Sequence, residues 1–300
     1  MQLLLFVLVY PILWIISRLP FPLFYKFSDF VYLLVYHVIG YRKKTVRRNL
    51  ELAFPEYTPA RRLEIEKKSY RHLCDMFLEM IKTMGISHEE INRRFTFTNL
   101  EMVHEAEKEG KSMALMAGHY GSYEWVISMN GRVTFPGFAI YKKIANEYFD
   151  RLIHRIRSKF GAALITTKET IPTIEANERA GIKGIYGFAA DQSPKASKIY
   201  HWGMFMGIDS PIITGAEMLA KKYDMNILFL RVRKTGRGYY EATFERPFRD
   251  IRAVPDYQVS DTFMQMVEKQ VREAPEYYLW THKRWKVRRP KDQTTSAPSA

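Results

Sequence analysis

Residues 111–125 read KSMALMAGHYGSYEW. SMALMA is a short apolar run of strand length. Gly118 and Gly121 after it allow a tight turn, and Ser122 predicts the N-cap of a helix over 122–130 that opens YEWVISMN. Strand, glycine turn and helix in immediate succession form the repeating unit of an α/β layer. His119 stands in the turn and Glu124 in the first helical turn, where the macrodipole favours a carboxylate. Ligands of open α/β sheets gather at the carboxyl ends of strands, so a site is expected at this turn. A carboxylate there can hold one imidazole nitrogen, raise the basicity of the other and stabilise the imidazolium, as in the His–carboxylate half of a triad. No protein nucleophile completes the set, because Cys74 lies in a helical stretch and Ser122 serves as a cap. The nucleophile is therefore read as a substrate hydroxyl that His119 deprotonates. The spacing by itself is equally what two surface residues would show.

The pattern repeats outward from this stretch. Strands are predicted at 112–117, 135–141, 162–166, 183–189, 226–232 and 239–244, and helices at 122–130, 145–160, 168–180, 213–222 and 258–273. The alternation predicts one mixed, largely parallel sheet flanked by helices. NILFLRV and YYEATFE, joined by RKTGRG, read as an antiparallel hairpin. Upstream, 59–84 has helical periodicity through Leu63, Ile65, Tyr70, Leu73, Phe77, Met80 and Ile81.

The chain has 300 residues, 47% hydrophobic and 26% charged, which suits a folded core and excludes a disordered composition. A single cysteine excludes an intrachain disulfide and a multi-cysteine metal site, so nothing requires an oxidising compartment. The net charge of +14 favours acidic partners: nucleic acid, anionic lipid or an acidic protein. Residues 1–16, MQLLLFVLVYPILWII, carry no charge but include Pro11, and a second apolar run, FVYLLVYHVIGY, covers 30–41. Arg42, Lys43, Lys44, Arg47 and Arg48 follow. This predicts an N-terminal hydrophobic membrane-anchoring helical segment over 1–48, either spanning or dipping into one leaflet, with the basic cluster on anionic headgroups. A buried helix pair of a soluble protein is the other reading. The main domain is then 49–287 and residues 288–300 a disordered polar tail. The charge is spread along the chain and no nucleic-acid-binding signature accompanies it.

Taken together, these residues resemble the late acyltransferases of lipid A biosynthesis, the lauroyl/myristoyl transferase family within the glycerolipid acyltransferase superfamily. The family signature His-x4-Asp/Glu is matched by His119 and Glu124. YKKIANEYFDRLIHRIRSKFGAALI at 141–165 resembles its second block, with Arg155 and Arg157 as Arg-x-Arg. ADQSP at 190–194, MFMGIDSPIITGAEMLAKK at 204–222 and YYLWTHKRWK at 277–286 resemble three more, with Lys283 where the family has Arg. Tyr141-Lys142-Lys143 and Ser193-Pro194-Lys195 depart from the family pattern, where substrate would contact the protein.

The resemblance implies transfer of an acyl chain from a thioester, on acyl carrier protein or coenzyme A, to a hydroxyl of a lipid A precursor. It places the enzyme at the cytoplasmic face of the inner membrane and calls for no metal and no cofactor. His119 is then the general base, oriented by Glu124. The oxyanion donor is Arg155, Arg157 or backbone N–H groups of 122–130. Arg151, Arg155 and Lys159 fall at i, i+4 and i+8, a stripe for phosphates or an acidic carrier, or simply a solvated face. Asp191 and Gln192 leave a strand end and are either site residues or a terminating turn. Trp280, His282 and Arg284 alternate as strand residues do, and Phe135, Phe138 and Tyr141 are either acyl-tunnel lining or core. The same chemistry on an aminolipid, glycolipid or lysophospholipid would leave all these motifs in place.

Overall fold

The computed structural model describes residues 2–289, so 290–300 of the expected tail lie outside the described residues. The chain opens with α1 (Gln2–Arg18) and α2 (Phe21–Leu33), the latter continued by a π-helical turn at Leu34–Ile39 that Gly40 ends in the left-handed region, φ 64°. Next come α3 (Lys43–Ala53) and the long α4 (Pro59–Lys82). Thr58 caps α4, accepting from the Arg61 N–H at 3.2 Å, and Pro59 opens it where no N–H is needed. Then follow α5 (His88–Arg94), β1 (Phe95–Thr98), α6 (Leu100–Lys108) and β2 (Met113–Ala117).

After β2, the expected α-helix is instead a run of 3-10 turns over Tyr123–Arg132, and the Ser122 side chain does not cap it: its buried hydroxyl has no partner among the described residues. Tertiary contacts override the local preference here. The Trp125 indole donates to the Glu79 carbonyl (3.2 Å) and the Thr83 hydroxyl (3.1 Å), pinning the segment under α4. Then come β3 (Gly137–Tyr141), α7 (Glu147–Arg157), β4 (Ala163–Thr166), α8 (Thr170–Arg179) and β5 (Ile185–Ala189). They are followed by β6 (His201–Phe205), β7 (Ile208–Ile212), α9 (Gly215–Tyr223), β8 (Asn226–Gly236), β9 (Tyr239–Glu245) and α10 (Gln258–Glu273).

Seven strands form a sheet in the order β1-β9-β8-β2-β5-β3-β4, parallel throughout except for the β8–β9 hairpin. The α/β class and the mostly parallel sheet are as the sequence predicts. β2 and β8 lie at its centre, with Met113–Met116 and Ile227–Leu230 almost wholly buried, as a sheet covered on both faces requires. The sheet is not the only one: β6 and β7 form a separate antiparallel hairpin. Its two-residue turn, Met206-Gly207, has φ of 55° and 73°, the conformation a twisted hairpin favours, but Met is an unusual residue there. Trp280–Arg284 is no strand either. It is a chain of turns, in which the Asn49 amide donates to the carbonyls of Trp280 (2.8 Å) and His282 (2.7 Å).

α4 lies between the sheet's carboxyl edge and the N-terminal helices. α1 packs on α4 and α7 through Phe6, Tyr10 and Leu13, which meet Phe149, Ile153 and Met80. Its other side exposes Leu4, Leu8, Ile12 and Ile15, and the π-helical turn exposes Val38 and Ile39. Among the described residues no helix is long and apolar enough to cross a membrane. The 17 residues of α1 reach about 25 Å, short of the ~30 Å hydrocarbon core.

Candidate active site

The ends of β2 and β5 bring two distant residues together. In the parallel register Ala117 pairs with Ala189. His119 and Asp191 each lie two residues further on, and they meet. The Asp191 carboxylate accepts from the His119 backbone N–H at 3.0 Å, and its Oδ1 lies 2.7 Å from His119 Nδ1. Asp191 is fully buried, while the His119 side chain keeps 23% of its surface open. The other carboxylate oxygen accepts from the Gln192 amide at 2.8 Å, and that amide also lies 3.4 Å from the Tyr278 hydroxyl. Burial is the largest influence and works against the imidazolium, but the charge and hydrogen bond of Asp191, together with the Glu124 charge, outweigh it, so the His119 pKa is raised. Burial would likewise favour neutral Asp191, and the His119 partner reverses this, lowering its pKa. Nδ1 is thus occupied, and Nε2 makes no hydrogen bond among the described residues.

The carboxylate on the imidazole therefore belongs to Asp191, where spacing alone suggested Glu124. Glu124 turns instead to Arg157, which grips it with two hydrogen bonds of 2.8 and 2.6 Å. The fork of a guanidinium matches a carboxylate better than an imidazole edge does. The Glu124 charge still lies close enough to His119 to favour its protonated form. Tyr123 covers the imidazole edge-on, ring centroids 4.9 Å apart.

His119, Glu124 and Arg157 line a cavity of about 450 Å³ at the carboxyl ends of β2, β3 and β5. Its remaining wall is mainly apolar, with Phe77, Met80, Val126, Ile127, Ile140 and Phe188. Tyr141 joins this wall. Phe138 stacks on Tyr186 at 4.8 Å, and Phe135 packs against the core. Arg155 and Arg151 are exposed on α7, Arg151 with a loose 3.8 Å contact to Glu147. Lys159 leaves the expected stripe, because α7 ends at Arg157. Its ammonium donates to the carbonyls of Thr83 (2.8 Å) and Met84 (3.2 Å), closing the end of α4.

The role of Asp191 was the element hardest to see in the sequence. Its one signal is the similarity of AGH at 117–119 and AAD at 189–191, a polar residue two past the end of each apolar run. Among the described residues no cluster of three or more metal-ligating side chains is present.

Comparison with known proteins follows the same lines. The sequence profile of the bacterial lipid A biosynthesis acyltransferase family matches residues 1–287. The chain is 25% identical over 280 residues to the lipid A biosynthesis lauroyltransferase of Escherichia coli (strain K12), covering 92% of this chain and 90% of that protein. It is 23% identical over 291 residues to the palmitoleoyltransferase of the same organism (92% and 89%), and 22% over 269 residues to its myristoyltransferase (88% and 83%).

Proposed function

The chain belongs to the bacterial lipid A biosynthesis acyltransferase family, and from that premise we propose that it moves an acyl chain from a carrier-protein thioester to a hydroxyl of a lipid A precursor, with His119 as general base. That it is an acyltransferase of lipid A biosynthesis follows from the family; the donor and the roles of the residues are our reading. The observation carrying it is an imidazole fixed at Nδ1 by a buried carboxylate, at the head of an apolar cavity.

In this mechanism the donor chain lies in the cavity with its thioester beside His119. Nε2 takes the acceptor hydroxyl's proton as the oxygen bonds to the thioester carbon. The C–S bond then breaks, and the imidazolium returns the proton to the departing thiolate. Asp191 keeps the tautomer and stabilises the imidazolium. Arg157 is the oxyanion donor we favour. It lines the cavity, and its second terminal nitrogen makes no hydrogen bond among the described residues, whereas Arg155 lies outside the lining. Lys142 at the cavity, with Lys143, Arg151 and Arg155 exposed nearby in sequence, supports an acidic carrier as donor.

We place the exposed apolar sides of α1, α2 and the π-helical turn in one leaflet, with the 42–48 cluster on anionic headgroups at the cytoplasmic face of the inner membrane. The test is a transfer assay in detergent with a tetra-acylated lipid A precursor, offering acyl carrier protein and coenzyme A thioesters separately. The carrier thioester is expected to be the better donor, and His119→Ala to lose about 10²–10⁴ in rate. Undiminished transfer by that variant would remove His119 from the mechanism.

A further inference from the structure

A second cleft, of about 750 Å³, opens on the opposite face of α4. α4 turns Phe77 and Met80 to the apolar cavity and, about half a turn around the helix, Lys68, Arg71, His72 and Asp75 to this cleft. The β8–β9 hairpin supplies Lys234 and Arg237, and α2 supplies Tyr32 and Leu33. A crevice of about 10 Å³, room for one water, lies between the two sides. It shares His119 with the apolar cavity, and His72 and Tyr277 with the polar cleft.

The charges of the cleft are unequally used. Arg237 holds both aspartates, Asp29 at 2.7 Å and Asp75 at 2.8 Å. Lys234 is left with a long 3.7 Å approach to Asp75 and a 3.4 Å contact with His72 Nδ1. Arg71 forms no salt bridge among the described residues and lies over the Tyr32 ring, 5.1 Å from its centre. Glu276 is the remaining carboxylate of the lining, against Lys68, Arg71 and Lys234. Leu33 at the rim is half exposed and leads on to the exposed Phe30, Leu34, Val38 and Ile39. The cleft thus presents Lys234 in its depth, Arg71 at its surface and an apolar surface at its edge, the pattern for an anionic head on an apolar tail.

It is also tied to the catalytic turn. His72 bridges Lys234 to the Gly121 carbonyl, 3.3 Å from its Nε2, and the Gly121 N–H donates to the Tyr277 carbonyl at 3.0 Å. Gly121 holds the turn at φ 60°, and a Cβ there would come within 2.9 Å of Val232, so the turn has little freedom to move independently.

We propose that this cleft binds the phosphate-bearing headgroup of a lipid, gripped by Arg71 and Lys234, on the side of α4 opposite the apolar cavity. This binding does not rest on the reading of His119 as the base. Full-length protein in detergent is titrated by calorimetry with short-chain phosphatidic acid, with phosphatidylcholine of the same chains and with inorganic phosphate. Phosphatidic acid is expected to bind best. Arg71→Ala and Lys234→Met should each weaken it about tenfold, the loss of one charge-assisted contact, while Arg179→Ala, exposed on α8, leaves it unchanged. Lys234 is largely buried, so Arg71→Ala, on the surface, decides the matter if the other variant does not fold. Equal affinity of wild type and Arg71→Ala overturns the proposal. Inorganic phosphate binding as tightly as phosphatidic acid overturns the lipid assignment. Because binding is read without turnover, loss of acyl transfer with binding intact would count against the catalytic mechanism and leave this site standing.

Discussion

His119 and His72 line the same narrow crevice, and their surroundings give them opposite chemistry. His119 has a buried carboxylate on Nδ1; burial opposes its charged form, but the charge and hydrogen bond of Asp191 with the Glu124 charge overcome this and raise its pKa. His72 is buried beside a lysine. Burial first, and then the Lys234 charge, push its pKa well below the ordinary value, so it stays neutral and bridges an ammonium to a carbonyl. Neither behaviour follows from the residue type. Both are opposed in their charged form by burial; the neighbouring carboxylate reverses this for His119, and the neighbouring ammonium adds to it for His72.

Removing the carboxylate should erase most of that contrast. Asp191→Asn is expected to cut turnover by about 10³-fold, since the tautomer and the imidazolium lose their support together. The pH profile gives the sign. His119 acts as a base only when unprotonated, so its raised pKa sets an acid limb in kcat/KM. Asp191→Asn lowers that pKa, and the limb should move to lower pH. A limb that stays in place would show that another group sets it.

Glu124→Gln should cost less in rate, about 10²-fold, by loosening Arg157 beside the cavity. It should also lower stability by about 2 kcal/mol, reduced from the cost of a fully buried broken pair because Arg157 is partly exposed. Thermal unfolding in detergent checks this. Adding Arg157→Gln should restore part of the stability and none of the activity.

The smallest effect on rate is expected at His72. His72→Phe leaves the Gly121 carbonyl and the Lys234 ammonium without their shared partner, a loss of about 1–3 kcal/mol. Turnover should stay within about tenfold of wild type and the acid limb should not move, as measured by the same kcat/KM profile. A loss as large as that of Asp191→Asn would collapse the distinction between the two histidines.

Much of this was legible in the sequence. Each of the six predicted strands is present to within two residues at its start, because apolar runs bounded by glycine and polar turns encode them locally. β1 and the β6–β7 hairpin were not: FTFT at 95–98 is only four residues long, and the hairpin turn uses Met-Gly. The turn that carries His119 at the end of β2 was legible in AGHYGSYEW, yet the carboxylate that spacing assigns to the imidazole is the one at hand in sequence. Glu124 is five residues from His119 but faces Arg157, 33 residues away, while the imidazole's partner is 72 residues away.

The sequence by itself determined the alternation of strand and helix, the placing of His119 at a strand end and the apolar N-terminus, since each is written in patterns a few residues long. The tertiary structure decided which charges meet. Asp191 reaches His119 because β5 lies beside β2 in a register that aligns Ala189 with Ala117, and Lys234 reaches His72 because the β8–β9 hairpin packs under α4. Strand order and register are set by the packing of the whole core. No local pattern carries them.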